Sequence, residues 1–155
     1  MLDKSMSFLS KLFGNKPPYV HPVFGKMFFV KGRPNKSYWE GRALFGPAKT
    51  EIEVLVDGDE DGVAPGALQF YEEVQKRYQG VVARFRPEIC RQLSDISKKQ
   101  IPADFDSTCR VTLVSVADTR FRTEWHIGMD CVFDRNFSVT IEMKDWENGI
   151  VVVDS

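Results

Sequence analysis

The chain has 155 residues, 43% of them hydrophobic and 28% charged, with a net charge of −1. That balance excludes a disordered chain, which lacks the apolar side chains needed to offset the entropy lost on folding. At this length one core buries roughly 70% of the extended surface without a metal or disulfide staple.

The charge is unevenly spread. Residues 1–36 hold seven Lys and Arg against one Asp, a balance of +6, which leaves −7 for the remainder. A mildly acidic body lacks the clustered cations that a phosphate backbone requires, so nucleic acid is not among the expected partners. Cys90, Cys109 and Cys131 are odd in number and widely spaced, without the paired C-x-x-C spacing of zinc or redox sites. They read as reduced, buried thiols of a cytosolic protein, and no cofactor is expected.

Residues 1–20 read as a leader. Leu2, Met6, Leu9 and Phe13 fall at i, i+4, i+7 and i+11 of a short helix, with Gly14 as its stop and Pro17-Pro18 beyond. We expect this segment to dock on the protein's own core or on a partner. The alternative, with Lys4, Lys11 and Lys16 on its polar side, is contact of residues 1–16 with an anionic membrane interface. No apolar run reaches the length of a signal-peptide core or a membrane span. The expectation is therefore a cytoplasmic protein with one α+β domain over residues 21–155.

From Val23 to Val56 the pattern is β. A strand around Phe24 to Val30 is followed by a turn at Gly32, Pro34 and Asn35; then come strands over Ser37 to Phe45 and Thr50 to Asp57. In the last, Ile52, Val54 and Val56 alternate with Glu51 and Glu53, as a half-buried strand does. These predict an N-terminal three-stranded antiparallel meander. Within it, Tyr38 and Trp39 are expected to pack beneath a neighbouring strand.

Pro65 suits the first turn of a helix. Tyr71, Val74, Tyr78, Val81, Val82, Phe85, Ile89 and Leu93 then recur at spacings of three and four, an apolar stripe of some six turns. Pro87 predicts a kink, or a break into two helices near Arg86. Arg77, Arg84, Arg91 and Lys98 repeat every seven residues on the other side. Such a row is ordinarily a solvated face; as a site it would bind an acidic protein partner.

The last third predicts a C-terminal antiparallel meander of about four strands. Cys109, Val111 and Leu113 lie in the first. Phe121, Thr123, Trp125, Ile127, Met129, Cys131 and Phe133 alternate strictly in the second. A three-residue loop, Asp134-Arg135-Asn136, would pair Phe133 with Phe137, Cys131 with Val139 and Met129 with Ile141, placing His126 opposite Lys144. Asn148-Gly149 is a strong hairpin signal before the final strand, Ile150 to Val153.

Chemistry has two candidate locations. Asp57, Asp59 and Asp61 followed by Gly62 match the first half of a D-x-D-x-D-G calcium loop, whose carboxylates wrap a hard cation. The twelfth position, however, is Leu68 rather than the bidentate Glu, so at most a weak site is expected. A solvated acidic turn near a helix N-terminus explains the same residues. Glu124, His126 and Asp130 share the polar face of a strand and are the candidate catalytic acid and base groups. At ~3.3 Å per residue His126 and Asp130 are about 13 Å apart, so ordinary cross-strand charge pairing is the competing reading. No nucleophile elbow or phosphate-binding glycine loop is present in the sequence.

Trp39-Glu40-Gly41, then Ile52-Glu53-Val54-Leu55-Val56 running into Asp59-Glu60-Asp61-Gly62, then a helix entered through Gln69-Phe70-Tyr71, resembles a group of small uncharacterised bacterial domains, some associated with toxin-immunity loci. The likeness covers roughly Phe24 to Leu93 and rests on short motifs. It implies a bacterial cytosolic α+β domain with a binding role and brings no catalytic residues with it. The expected function is a non-catalytic protein-binding module of the immunity type. The alternatives are an enzyme using Glu124, His126 and Asp130, or a weak calcium-binding module at Asp57, Asp59 and Asp61.

Overall fold

The computed structural model describes residues 19–33 and 36–155. The helix expected in the leader, and the turn residues Pro34 and Asn35, lie outside the described residues. The described residues form one large mixed sheet of nine strands and one long helix, an α+β fold. The strands are β1 (Tyr19–His21), β2 (Gly25–Val30), β3 (Tyr38–Phe45), β4 (Thr50–Asp59), β5 (Gly62–Val63), β6 (Cys109–Val116), β7 (Trp125–Cys131), β8 (Ser138–Met143) and β9 (Gly149–Asp154). The helix, α1 (Ala67–Ser97), lies between β5 and β6 in the chain.

The sheet order is β1-β2-β3-β4-β6-β7-β8-β9, with β5 hairpinned onto the end of β4. Every pairing is antiparallel except β4 with β6, which run parallel at the centre. A parallel neighbour needs a long crossover, and α1 supplies it. The first half therefore contributes four successive antiparallel strands, not three. Tyr19 and Val20, assigned to the leader by sequence, pair with Met27 and Lys26 in the sheet.

The core lies between α1 and one face of the sheet. Alternation places Trp39, Ala43 and Phe45 of β3, Ile52, Val54 and Val56 of β4, and Ile127, Met129 and Cys131 of β7 on that face, all buried. The helical stripe meets them: Tyr71, Val74, Tyr78, Val81, Val82, Ile89 and Leu93 are buried and Phe85 packs at the margin. Tyr71 also donates its hydroxyl to the Leu44 carbonyl at 2.8 Å, which ties the helix to the end of β3. Gly41 is required here, because a Cβ would stand 2.6 Å from the Phe24 carbonyl oxygen.

Four local expectations are corrected. First, of the kink or break expected near Arg86, the break is absent: α1 is one helix through Pro87. The proline leaves the carbonyl of Ala83 without a helical donor, but both residues are exposed, so water can serve that carbonyl. Second, Pro65 precedes the helix rather than opening it. Gly66, at φ 81°, is the N-cap, a left-handed conformation that glycine adopts without strain.

Third, β7 begins at Trp125. Phe121 and Thr123, expected inside a long strand, belong to the loop 117–124, and Phe121 is exposed. Fourth, the β7–β8 register is two residues from the expected one: Met129 faces Val139, Ile127 faces Ile141 and His126 faces Glu142. A two-residue shift keeps every apolar side chain on the core face, so alternation alone could not choose. Asp134 lies in the connection. Its carboxylate accepts from the Asn136 backbone N–H and from Lys99 Nζ at 2.8 Å, and residues 132–137 connect the two strands.

Two features of the second half escape simple alternation. β6 has a bulge between Val111 and Leu113 that resets its phase, so Cys109, Val111, Val114 and Val116 all face the core and Leu113 turns to the other face. At the β8–β9 turn Asp145 accepts from the N–H groups of Glu147 and Asn148, both at 2.7 Å. Gly149 begins β9 instead of forming the turn's centre, and it admits a close approach: a Cβ there would stand 2.7 Å from the Met143 sulfur.

Candidate functional site

The carboxyl ends of the parallel pair β4 and β6 point to the same end of the sheet. In open sheets with parallel strands, crevices form outside such ends, because the chain leaves the two strands in different directions. Here β4 leaves into the β5 hairpin and α1, while β6 leaves into the loop 117–124. A cavity of about 250 Å³ lies between, lined by Ser37, Asp57, Asp59, Asp118, Arg120 and Phe121 among others.

Asp57 anchors this end. It follows Glu53 and Leu55 on the face of β4 away from the helix, yet it is buried because the loop 117–124 folds over it. Arg122 grips it with both guanidinium arms, Nε donating at 2.7 Å to one oxygen and Nη2 donating to the other. The Asp118 backbone N–H adds a third bond at 2.9 Å. Asp118, also buried, is held in turn by Arg120 through Nε at 3.0 Å and Nη2 at 2.7 Å. Those bonds hold its carboxyl below the usual aspartate range, against the opposing effect of burial. Two carboxylates and two guanidinium groups thus neutralise one another and fix the loop.

The calcium candidates are not gathered around one point. Asp57 faces Arg122, and a cation there would have to displace a two-armed ion pair. Asp59 Oδ1 accepts from the Asp61 backbone N–H at 2.9 Å, an Asx turn inside the tight β4–β5 hairpin. Among the described residues no three or more His, Cys, Asp or Glu side chains converge as a metal site would need.

Beyond Arg122 the same loop borders a wide groove on the uncovered face of the sheet. It holds Glu124, His126, Ser115, Thr140, Glu142 and Ile150. His126 sits mid-groove opposite Glu142, and its backbone N–H donates to Ser115 Oγ at 2.8 Å. Burial lowers its pKa from the ordinary imidazole value, the Arg122 charge lowers it further, and Glu142 opposes both. The catalytic candidates are therefore divided. Glu124 and His126 share this groove, while Asp130 lines a separate depression with Arg110 and Arg135 and faces Arg110 across β6 and β7.

The cationic row of α1 is largely committed within the protein. Arg77 bonds Glu73 and lies 5.0 Å from the Trp146 ring centroid. Arg84 donates to the Glu147 carbonyl of the β8–β9 turn and approaches its carboxylate at 3.3 Å. Arg91 bridges Glu88 and Asp95, and Lys98 caps the helix in a left-handed conformation.

Of the uncovered sheet face, sequence reading singled out in detail only the strip along β7 with His126. Across the face run half-buried Phe28, Leu55 and Leu113 with exposed Leu44 and Ile150. Glu40, Glu51, Glu53 and Glu142 share the face with Lys26 and Arg42, and Arg42 is bonded to Glu51 at 2.9 Å. Burial raises the Glu40 pKa and the like charge of Glu53 raises it further. Alternation hinted at this face, but only the placement of α1 shows that, among the described residues, no second layer covers it. No helix among the described residues is long and apolar enough to cross a membrane. No family model, curated protein or solved structure matches the chain.

Proposed function

We propose that this protein is a non-catalytic protein-binding module, of the immunity type that its motifs resemble, and that the uncovered sheet face is its docking surface. The supporting observation is the composition of that face. Apolar Phe28, Leu44, Leu55, Leu113 and Ile150 are interleaved with carboxylates that outnumber its cations, and Glu40 and Glu53 repel each other across neighbouring strands. A partner presenting Lys or Arg beside apolar side chains would relieve that repulsion and remove the apolar area from water. The bacterial, cytoplasmic setting belongs to the same proposal.

The test uses the full chain as bait, followed by calorimetry with the captured partner. Leu44→Glu and Ile150→Glu alter side chains that already face solvent, so they spare the fold; each is expected to weaken binding about tenfold or more, roughly 1.4 kcal/mol. Unchanged affinity in both, with loss on replacing Arg77 and Arg91, would move the docking surface to the helix.

A second reading is favoured by one observation: Glu124 and His126 share a groove with Arg122. In an enzyme of that design His126 would act as the base. His126→Gln abolishing a hydrolytic activity while leaving partner binding intact would establish it over the binding role.

A further inference from the structure

Cys109 opens β6 and Cys131 closes β7, and the two stand directly opposite each other. The hydrogen-bond pattern identifies the type of pair. Val132 donates its backbone N–H to the Thr108 carbonyl at 2.9 Å, while the Cys131 N–H turns the other way, to the Phe137 carbonyl of the β8 side at 3.2 Å. Cys109 and Cys131 therefore form a non-hydrogen-bonded pair, the kind in which Cα atoms approach to about 4.5 Å and side chains are closest. That separation falls within the span of about 4.4–6.8 Å that a disulfide bridges, at its short end, where the bond is strained and readily reduced.

Both thiols lie on the core face, each 2% exposed, and they are close enough for each to shift the other's titration. Cys90 of α1 is near enough to act electrostatically on Cys109, is only half-buried, and does not complete a metal-ligating group with the pair.

We propose that Cys109 and Cys131 are a reversible cross-strand redox pair, closed to a disulfide by a hydroperoxide and reopened by a dithiol. In the forward step one thiolate attacks a peroxide oxygen, the O–O bond breaks, and a sulfenic acid forms as water leaves. The second sulfur then attacks the first and expels another water. Two S–H bonds and one O–O bond are lost, one S–S bond and two O–H bonds are gained, and hydrogen peroxide is reduced to two waters. A dithiol reopens the bridge by exchange and is itself oxidised to a cyclic disulfide. Burial raises both thiols above their ordinary range, so closure is slow at neutral pH and quickens as pH rises. The closed bridge would clamp the end of the β6–β7 pair beside the Asp134 loop.

The experiment incubates the folded full chain with hydrogen peroxide near about pH 8.5, the ordinary thiol value, and counts thiols after denaturation without reductant. The count is expected to fall from three to one, with a Cys109–Cys131 peptide in the non-reducing digest, and to return to three after dithiothreitol. Cys90→Ser should close the same bridge, its count falling from two to none. Cys131→Ser should form no bridge and keep both remaining thiols unbridged. A count that stays at three, oxidation confined irreversibly to Cys90, a bridge containing Cys90, or a Cys90→Ser variant that fails to close would each overturn the proposal.

Discussion

Replacing Arg122 by Met tests the electrostatic account of the β4–β6 end most directly. The substitution keeps the aliphatic length of the side chain but leaves the Asp57 carboxylate buried, with its remaining bond from the Asp118 N–H. Removing one partner of a buried ion pair costs about 3–5 kcal/mol, since the other charge keeps its desolvation penalty without compensation. Arg122 is 37% exposed and the adjoining cavity admits solvent to the rim of the pair, so we expect about 2–3 kcal/mol here. For a chain of this size that is a fall in Tm of about 5–10 °C. Urea denaturation followed by far-UV circular dichroism reads the change as a lower midpoint at constant slope.

Two companions sharpen the result. Arg42→Ala breaks an exposed pair with Glu51 and should cost about 1 kcal/mol or less. Asp57→Asn combined with Arg122→Met should cost less than the sum of the two single changes, because the double variant removes the orphaned charge. If Arg122→Met shifts stability by no more than Arg42→Ala does, Asp57 is not buried in the sense argued, and the ordering of the loop 117–124 needs another cause.

Three more predictions follow from geometry. In an NMR pH titration His126 should titrate below about 6.5; Arg122→Met should raise its midpoint and Glu142→Gln should lower it. The folded value lies below the unfolded one, so the unfolded chain binds the proton more tightly; this contribution to stability is present above about pH 6.5 and is lost as pH falls through the folded value. Gly41→Ala should cost about 1–3 kcal/mol because its Cβ would meet backbone, whereas Gly80→Ala, exposed in the helix with nothing within 4 Å, should gain about 0.5–1 kcal/mol; chemical denaturation measures both. Pro87→Ala restores a donor for the Ala83 carbonyl and should stabilise by about 1–2 kcal/mol after allowance for the looser unfolded chain, an expectation that any loss of melting temperature would refute.

Periodicity in the chain was enough to specify strands, then one long helix, then strands, because a side chain that must be buried repeats every second residue in a strand and along one stripe of a helix. Trp39, the Val54 row, the Tyr71-to-Leu93 stripe and the row from Trp125 to Cys131 lie where that rule puts them, whereas Phe121 and Thr123 do not. What periodicity could not decide depends on a partner strand or a distant charge. Met129 opposite Val139 and Met129 opposite Ile141 bury the same faces, and the register found is the one in which Lys99 and Asn136 bond Asp134. Leu113 and Val114 are both apolar, so which of them faces the core emerged only from the bulge in β6 against Gly128. Asp57 reads as one more acid in an acidic loop until Arg122, sixty-five positions later, folds back to neutralise it. A local pattern records which residues need shelter from water; only the assembled sheet decides which neighbours supply it, and it was that assembly that left one face without a covering layer among the described residues.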